Sequence, residues 1–362
     1  ANSGTGFKGY GLDGPISLYF KDVDGNGFLD TDDGDKYILI FGERRGGTHY
    51  YALDITTKTG AGELQPRFLW EIEGGTGDFY ELGQTWSAPQ QARIRIDGIE
   101  RDVMVFGGGY DDSTGDQQGD ARAANSKGRA IYMIDPIDGS LVWWAGKSTL
   151  TGLNPGDPIP NLKNVCFSNG STRTCTTGDM NFSVAADVRL VQIDGDGLLD
   201  RIYAADIGGQ LLRIDINNNA ANVSGLADGY IVADLQRTNA NAVPTLQDNR
   251  RFFFAPDPAL INPSEGEPFI SLAIGSGFRA HPLSTDVEDK MFMVKDDDPF
   301  AKPSLYSATR TLIDLKDVTN DLDPTDLANF NGWFINLVNS SGVFEGQKVL
   351  SSATTFGGVV FF

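Results

Sequence analysis

Apolar runs in this chain come in pairs, each pair hinged on glycine. Tyr37–Phe41 runs into Gly42 and returns as His49–Asp54, and Val103–Phe106 meets Gly107-Gly-Gly109 and returns as Ala130–Asp135. Arg201–Asp206 turns at Gly208-Gly209 into Leu211–Asp215, Ile270–Ile274 turns at Gly275 and Gly277 toward Lys290–Val294, and Ser352–Phe356 turns at Gly357-Gly358 into Val359–Phe362. Runs this short, bounded by glycine, predict strands. A further strand ending in tryptophan follows two of the pairs, Arg67–Trp70 and Leu141–Trp144. The repeated form of strand, turn, strand, aspartate, turn and Trp-ended strand predicts an all-β chain built as an irregular β-propeller with long loop insertions, in about five blade-like units. Trp70, Trp143 and Trp144 are then expected to fill gaps between blades rather than to stack on a ligand.

The intervening segments are polar. Residues 110–128 and 150–180 read as exposed loops, 217–248 as a loop or short helix, and Pro324–Phe330 as a helix. None of them has a linker composition sustained enough to divide the chain, so residues 1–362 are read as part of one propeller domain. The last residues, Gly357–Phe362, stop inside an expected strand, which suggests a fragment. Glycine is 44 of 362 residues, in keeping with many turns, and the formal charge of −20 argues against nucleic acid or an anionic membrane as partner.

Two stretches have a chemistry of their own: Asp22-Val-Asp24-Gly-Asn26-Gly-Phe28-Leu-Asp30 and Gln192-Ile-Asp194-Gly-Asp196-Gly-Leu198-Leu-Asp200. In one register both place oxygen-bearing side chains at positions 1, 3, 5 and 9 and glycine at 4 and 6. Calcium takes about six to eight oxygens, and a backbone carbonyl at position 7, here Phe28 or Leu198, commonly completes the set. Glycines at 4 and 6 let the backbone curl so that alternate side chains converge. Position 12 is Asp33 in one loop and Tyr203 in the other, so the bidentate glutamate of a helix-loop-helix hand is missing. A solvated acidic turn would use the same residue types, but the matching register of two loops favours metal. Gln192 in place of a carboxylate lowers the charge of the second loop.

Other chemistry is sparse. The only histidines are His49 and His281, and neither has a nucleophile-elbow context. Gly275-Ser276-Gly277 reads as a blade turn. Glu71, Glu73, Asp78 and Glu81 read as a solvated acidic loop. Cys166 and Cys175, with eight residues between them in a polar stretch, are expected to form a disulfide in an oxidising compartment.

Several stretches together resemble the C-terminal domain of the PilY/PilC type IV pilus proteins: Tyr10–Gly14, Phe41–Gly47, Tyr51–Ile55, Gly83–Pro89, Val105–Tyr110 and, most specifically, Asp194–Asp206. The resemblance runs over almost the whole chain in the expected order. It implies a modified β-propeller at or near a bacterial pilus tip that supports pilus assembly and adhesion. The implied partners are minor and major pilin subunits and a host-cell or abiotic surface receptor. In that family a loop matching Gln192–Asp200 binds Ca2+, and its occupancy biases pilus extension against retraction; Asp22–Asp30 looks like a second site. No Arg-Gly-Asp tripeptide occurs, so an integrin-type contact is not supported. No enzymatic role is expected, although a quinone-dependent propeller dehydrogenase and a generic calcium-binding adhesion module remain the rival classes.

Overall fold

In the computed structural model, residues 10–28, 30, 32–57, 62, 63, 65–111, 119, 122–146, 180–264, 266–304, 306–321 and 324–362 are described. They form consecutive antiparallel sheets. The first blade is β1 (Ile16–Lys21), β2 (Lys36–Gly42), β3 (His49–Asp54) and β4 (Arg67–Glu73), paired in chain order. The second is β5 (Gln90–Ile96), β6 (Ile99–Gly107), β7 (Ala130–Ile134) and β8 (Leu141–Gly146), and the third is β9 (Arg189–Val191), β10 (Arg201–Ala205), β11 (Gln210–Ile216) and β12 (Ala227–Asp234). The fourth contains β13 (Asp257–Ile261), β14 (Phe269–Gly275), β15 (Lys290–Asp296), β16 (Lys316–Asp317) and β17 (Gly332–Asn336), with β17 between β15 and β16. A hairpin, β18 (Thr354–Phe356) and β19 (Val359–Phe361), follows. The expected irregular propeller is therefore present, and every apolar pair read from the sequence lies on adjacent strands.

The first strands of successive blades stand next to one another, as the inner strands of a propeller do. The Gln91 side chain both accepts from the Phe20 N–H and donates to the Phe20 carbonyl, joining β5 to β1. Gln90 reaches the Val188 carbonyl, Arg189 the Pro256 carbonyl, and Asp257 accepts from the Thr355 N–H. Each link passes the chain to the next unit.

Alternation along the middle strands explains the cores between blades. In β6, Val103 and Val105 pack toward the third blade, whereas Met104 and Phe106 pack toward the first. In β10, Ile202 and Ala204 meet the second blade and Tyr203 and Ala205 the fourth. The buried stretches of such strands are almost wholly apolar because both faces are covered. Trp143 and Trp144, neighbours in β8, go to opposite cores, and Trp70 donates its indole N–H to the Pro136 carbonyl of the next blade at 3.0 Å. The tryptophans are core, as expected. Each large apolar side chain so buried contributes about 1.5–3 kcal/mol.

Several loop expectations need correction. The 217–248 segment contains β12, whose buried Tyr230, Val232 and Ala233 outweigh the Asn/Ala-rich lead-in. Pro324–Phe330 forms only a single short turn, Leu327–Asn329, too brief for a helix to gain from cooperativity. The described part of 110–128 is not simply exposed: Asp111 is buried and accepts from the Ser126 and Lys127 N–H groups, and Asn125 accepts from the Ser183 N–H. Glu81 is not solvated either, because Arg129 grips it bidentately at 2.8 and 2.6 Å in the interior. The expected Cys166–Cys175 disulfide, and all but the last residue of the expected 150–180 loop, lie outside the described residues.

The seam between the third and fourth blades differs from the others. Arg201 and Arg213, both fully buried, share Asp215 at 2.8 and 2.9 Å, and Arg213 also holds Asp296 of β15 at 2.6 Å. Tyr203 donates to Asp296, Tyr306 donates to Asp215 at 2.8 Å, and the carbonyls of Asp298, Pro299 and Ala301 take remaining guanidinium N–H groups. Two positive and two negative charges thus cancel out of reach of water. Removing one member strands the others. Asp296→Ala should destabilise the protein by about 3–5 kcal/mol in urea unfolding; a loss below about 1 kcal/mol would mean that the cluster behaves like a solvated ion pair.

Candidate metal centres

Both acidic loops occupy the same corner of the fold, the connection between a blade's first and second strands. Asp22–Asp30 lies between β1 and β2, and Gln192–Asp200 between β9 and β10. The second blade closes that corner with only Asp97 and Gly98, both at positive φ, as a two-residue hairpin does. The longer loops are therefore insertions at an equivalent position. Their backbones match: Gly25 and Gly27 have φ of 71° and 77°, and Gly195 and Gly197 have 80° and 84°. Those left-handed steps are what the glycines at positions 4 and 6 permit.

Side chains in the loops are turned onto the loops' own N–H groups. Asp22 accepts from Gly25 at 2.7 Å and Gly27 at 2.8 Å, Asp24 accepts from the Asn26 N–H, and Asn26 from Phe28 at 2.6 Å. In the second loop Asp194 accepts from Asp196 at 3.0 Å and Asp196 from Leu198 at 2.8 Å. Gln192 reverses the polarity of position 1: its amide donates across the loop to the Gly197 carbonyl at 3.3 Å, where Asp22 accepts from Gly27. Among the described residues no three His, Cys, Asp or Glu side chains stand together as a ready ligand set. The donors are all oxygens, as calcium requires, but side chains must rotate inward to converge on an ion. Hydrogen bonding to Gly27 first, and to Gly25, holds the Asp22 carboxyl below its ordinary value despite slight desolvation. Burial pushes the Asp200 carboxyl up, and Asp194 and Asp196 push it further. An acidic group crowded in this way is relieved by a cation.

One residue that sequence reasoning missed reorders the first loop. Asp35, buried, accepts from the Val23 N–H at 2.8 Å and the Asp30 N–H at 2.9 Å. Asp200 makes the corresponding bond to the Ile193 N–H in the second loop at 2.6 Å. By hydrogen bonding, the counterpart of Asp200 is thus Asp35, while Asp30 caps the Asp32 N–H. The repeated glycines put Asp30 at position 9; only the fold reveals that the loop closes later.

Anchoring separates the two loops. Phe28 at position 7 is 76 % exposed, whereas Leu198 and Leu199 are each 1 % exposed and Leu199 belongs to the core between the second and third blades. The Leu199 N–H donates to the Arg93 carbonyl at 2.7 Å and its carbonyl accepts from Asn218 at 3.0 Å. The Asp200 carbonyl accepts from Ile216. The next residue is Arg201, a member of the buried charge cluster. The second loop is therefore a corner built into the protein, and the first is largely a surface excursion.

No family model matches the chain. It is 21 % identical over 368 residues to the type IV pilus biogenesis factor PilY1 homolog of Xylella fastidiosa, a match that takes in 98 % of this chain and 21 % of that protein. The chain thus spans about a fifth of the length of the curated relative it matches. The crystal structure of the Pseudomonas aeruginosa PilY1 C-terminal domain superposes with a TM-score of 0.59 at 18 % identity, covering 96 % of this chain and 67 % of that one, and shows the shared fold. The resemblance read from the sequence is borne out as likeness: the chain is similar in sequence to a PilY1 homolog and shares the fold of the PilY1 C-terminal domain.

Proposed function

We propose that residues 1–362 serve as part of the C-terminal propeller of a type IV pilus biogenesis factor, acting outside the cell at the pilus tip in pilus assembly and surface attachment. The observation that supports this reading best is likeness to a pilus biogenesis factor along 98 % of the chain, joined to the fold of the PilY1 C-terminal domain. In this reading the chain binds and positions rather than catalyses, and its partners are major and minor pilins and a host-cell or abiotic surface. In the source bacterium, deleting the protein should abolish surface pili and twitching, and immobilised protein should retain pilins; wild-type piliation in the deletion strain would refute the assignment.

Calcium enters the proposal through the two loops. Asp194, Asp196 and Asp200, with the Gln192 amide oxygen and the Leu198 carbonyl, would hold one ion, and Asp22, Asp24, Asn26 and Asp30, with the Phe28 carbonyl, another. A bound Ca2+ supplies two positive charges that offset the crowded oxygens. The protein's own part is to fix the loop ends. Because Asp200 precedes Arg201, ordering the 192–200 loop steadies the start of β10 and the seam that Arg201 helps to close. Loop occupancy would thereby reach the surface formed by the third and fourth blades and bias pilus extension against retraction.

The consequences are measurable. At calcium a hundredfold above the dissociation constant, one site should stabilise the protein by about 2.7 kcal/mol. Asp194→Ala should remove more of the rise in melting temperature than Asp24→Ala, because the second loop is already anchored; a parent protein whose melting temperature ignores calcium would refute the sites. The response should also depend on pH. With its carboxyl raised in the folded protein, Asp200 favours the ion-free fold when protonated, and that contribution is lost as pH rises through the raised value. Calcium needs the ionised form, so calcium stabilisation should grow over the same window, above the usual aspartate range. Melting curves of Asp200→Asn should lack this pH-dependent component.

A further inference from the structure

A cavity of about 390 Å³ opens at the end of the sheets where the connections between blades converge, and no acidic-loop residue lines it. Its wall includes Arg44 from the β2–β3 turn, Trp86 from the link between the first and second blades, Phe253 and Phe254 from the link between the third and fourth, and Arg279 from the β14–β15 connection, with two carboxylates, Asp13 ahead of β1 and Asp187 ahead of β9. Trp86 and Phe253 also belong to an aromatic cluster buried behind the cavity. Connections from each of the four blades meet here.

At this place three guanidinium groups face two carboxylates, Asp13 and Asp187, in a protein where acids outnumber bases. In a chain of formal charge −20, three guanidinium groups gather around one indole: Arg44, Arg279 and Arg45 lie 4.7, 5.6 and 5.7 Å from the Trp86 ring centroid. Arg279 also stands 4.8 Å from the Phe254 ring. Among the described residues no carboxylate comes within ion-pair reach of Arg279. Asp13 approaches Arg44 and Arg45 only at 3.8 and 3.9 Å, and Asp187 spends one oxygen on the Ala88 N–H at 2.7 Å. Burial holds the Arg279 guanidinium below its ordinary value, and Arg44 and Arg45 lower it further, with Asp187 and Asp13 offsetting only part of this. Positive charges crowded in this way are stabilised by an incoming anion.

Backbone geometry supplies an independent sign. Arg44 has φ of 52°, one of two described non-glycine residues in the left-handed region, although glycines follow at positions 46 and 47. Its N–H and that of Glu43 both donate to the Thr85 hydroxyl, at 3.0 and 2.8 Å, which fixes the turn and sends the arginine over Trp86. A residue held in an unfavourable conformation by its surroundings points to a use for its side chain.

We infer that this cavity is a binding site for a carboxylate borne on a compact group, with Arg44 and Arg279 pairing the carboxylate and the Trp86, Phe253 and Phe254 rings flanking the remainder. Guanidinium groups match the two oxygens of a carboxylate in a planar fork, and a partly desolvated, aromatic-walled cleft strengthens the pairing. The volume suits one sugar acid or one acidic side chain with its adjoining peptide. The site does not depend on calcium or on the pilus assignment.

Calorimetric titration of the intact protein tests it with two carboxylate probes, D-galacturonate and N-acetyl-L-glutamate amide, each against its neutral analogue, D-galactose or N-acetyl-L-glutamine amide. At least one carboxylate should bind measurably more tightly than its neutral analogue and weaken with salt; whichever does so identifies the ligand as a sugar acid or a peptide carboxylate. Arg279→Gln should weaken that binding by about tenfold or more. Arg44→Gly, which suits the left-handed backbone, should do the same without lowering the melting temperature. The inference is overturned if neither carboxylate outbinds its neutral analogue, or if binding survives unchanged in folded Arg44→Gly protein.

Discussion

Four charges without water hold the third and fourth blades in register. Arg201, Arg213, Asp215 and Asp296 are drawn from three strands of two sheets, and each is satisfied by a partner of opposite charge, a tyrosine hydroxyl or a backbone carbonyl. An apolar seam tolerates small slips, because dispersion and burial have little directional preference. A buried, neutral set of charge-assisted hydrogen bonds does not, since any slip leaves a charge unpaired at low dielectric. The surrounding seam, with Leu272, Phe292, Val294 and Tyr230, excludes the water that would weaken the cluster. Register at this one interface therefore constrains the blades on either side.

The cluster also explains why two loops of similar sequence are not equivalent. Both sit at the same corner of a blade and share the same pair of left-handed glycines. One is followed at once by Arg201 and pinned by Leu198 and Leu199 in the interior; the other leaves Phe28 in solvent and depends on Asp35 for closure. Ordering a loop that is already fixed at one end requires less conformational entropy than ordering a free one. Ligand type is a property of the local sequence, whereas leverage on the rest of the molecule is a property of what the loop is attached to.

Much of this was legible in the chain itself, and the boundary has a physical cause. The middle strands of each blade announced themselves because both faces are covered, which forces runs such as Ala130–Ile134 and Arg201–Ala205 to be almost wholly apolar. The inner strands were silent: Gln90–Ile96 alternates arginine with isoleucine, and Arg189–Val191 has three residues, none fully buried. Glycine spacing located both acidic loops, but Asp35 lies beyond the repeat. Asp215 is close in sequence to Arg201 and Arg213, but other contacts that fix the arginines of the buried cluster and of the cavity come from 40 to more than 90 residues away, so a local window contains only part of the reason for their placement.

Hydrogen exchange read separately on residues 192–200, β10 and β15, with and without calcium, tests most directly whether the second loop and the buried cluster act as one unit. The account predicts that calcium slows exchange in the loop and also in β10 and β15. Slowing confined to 192–200, or no slowing at all, would contradict it.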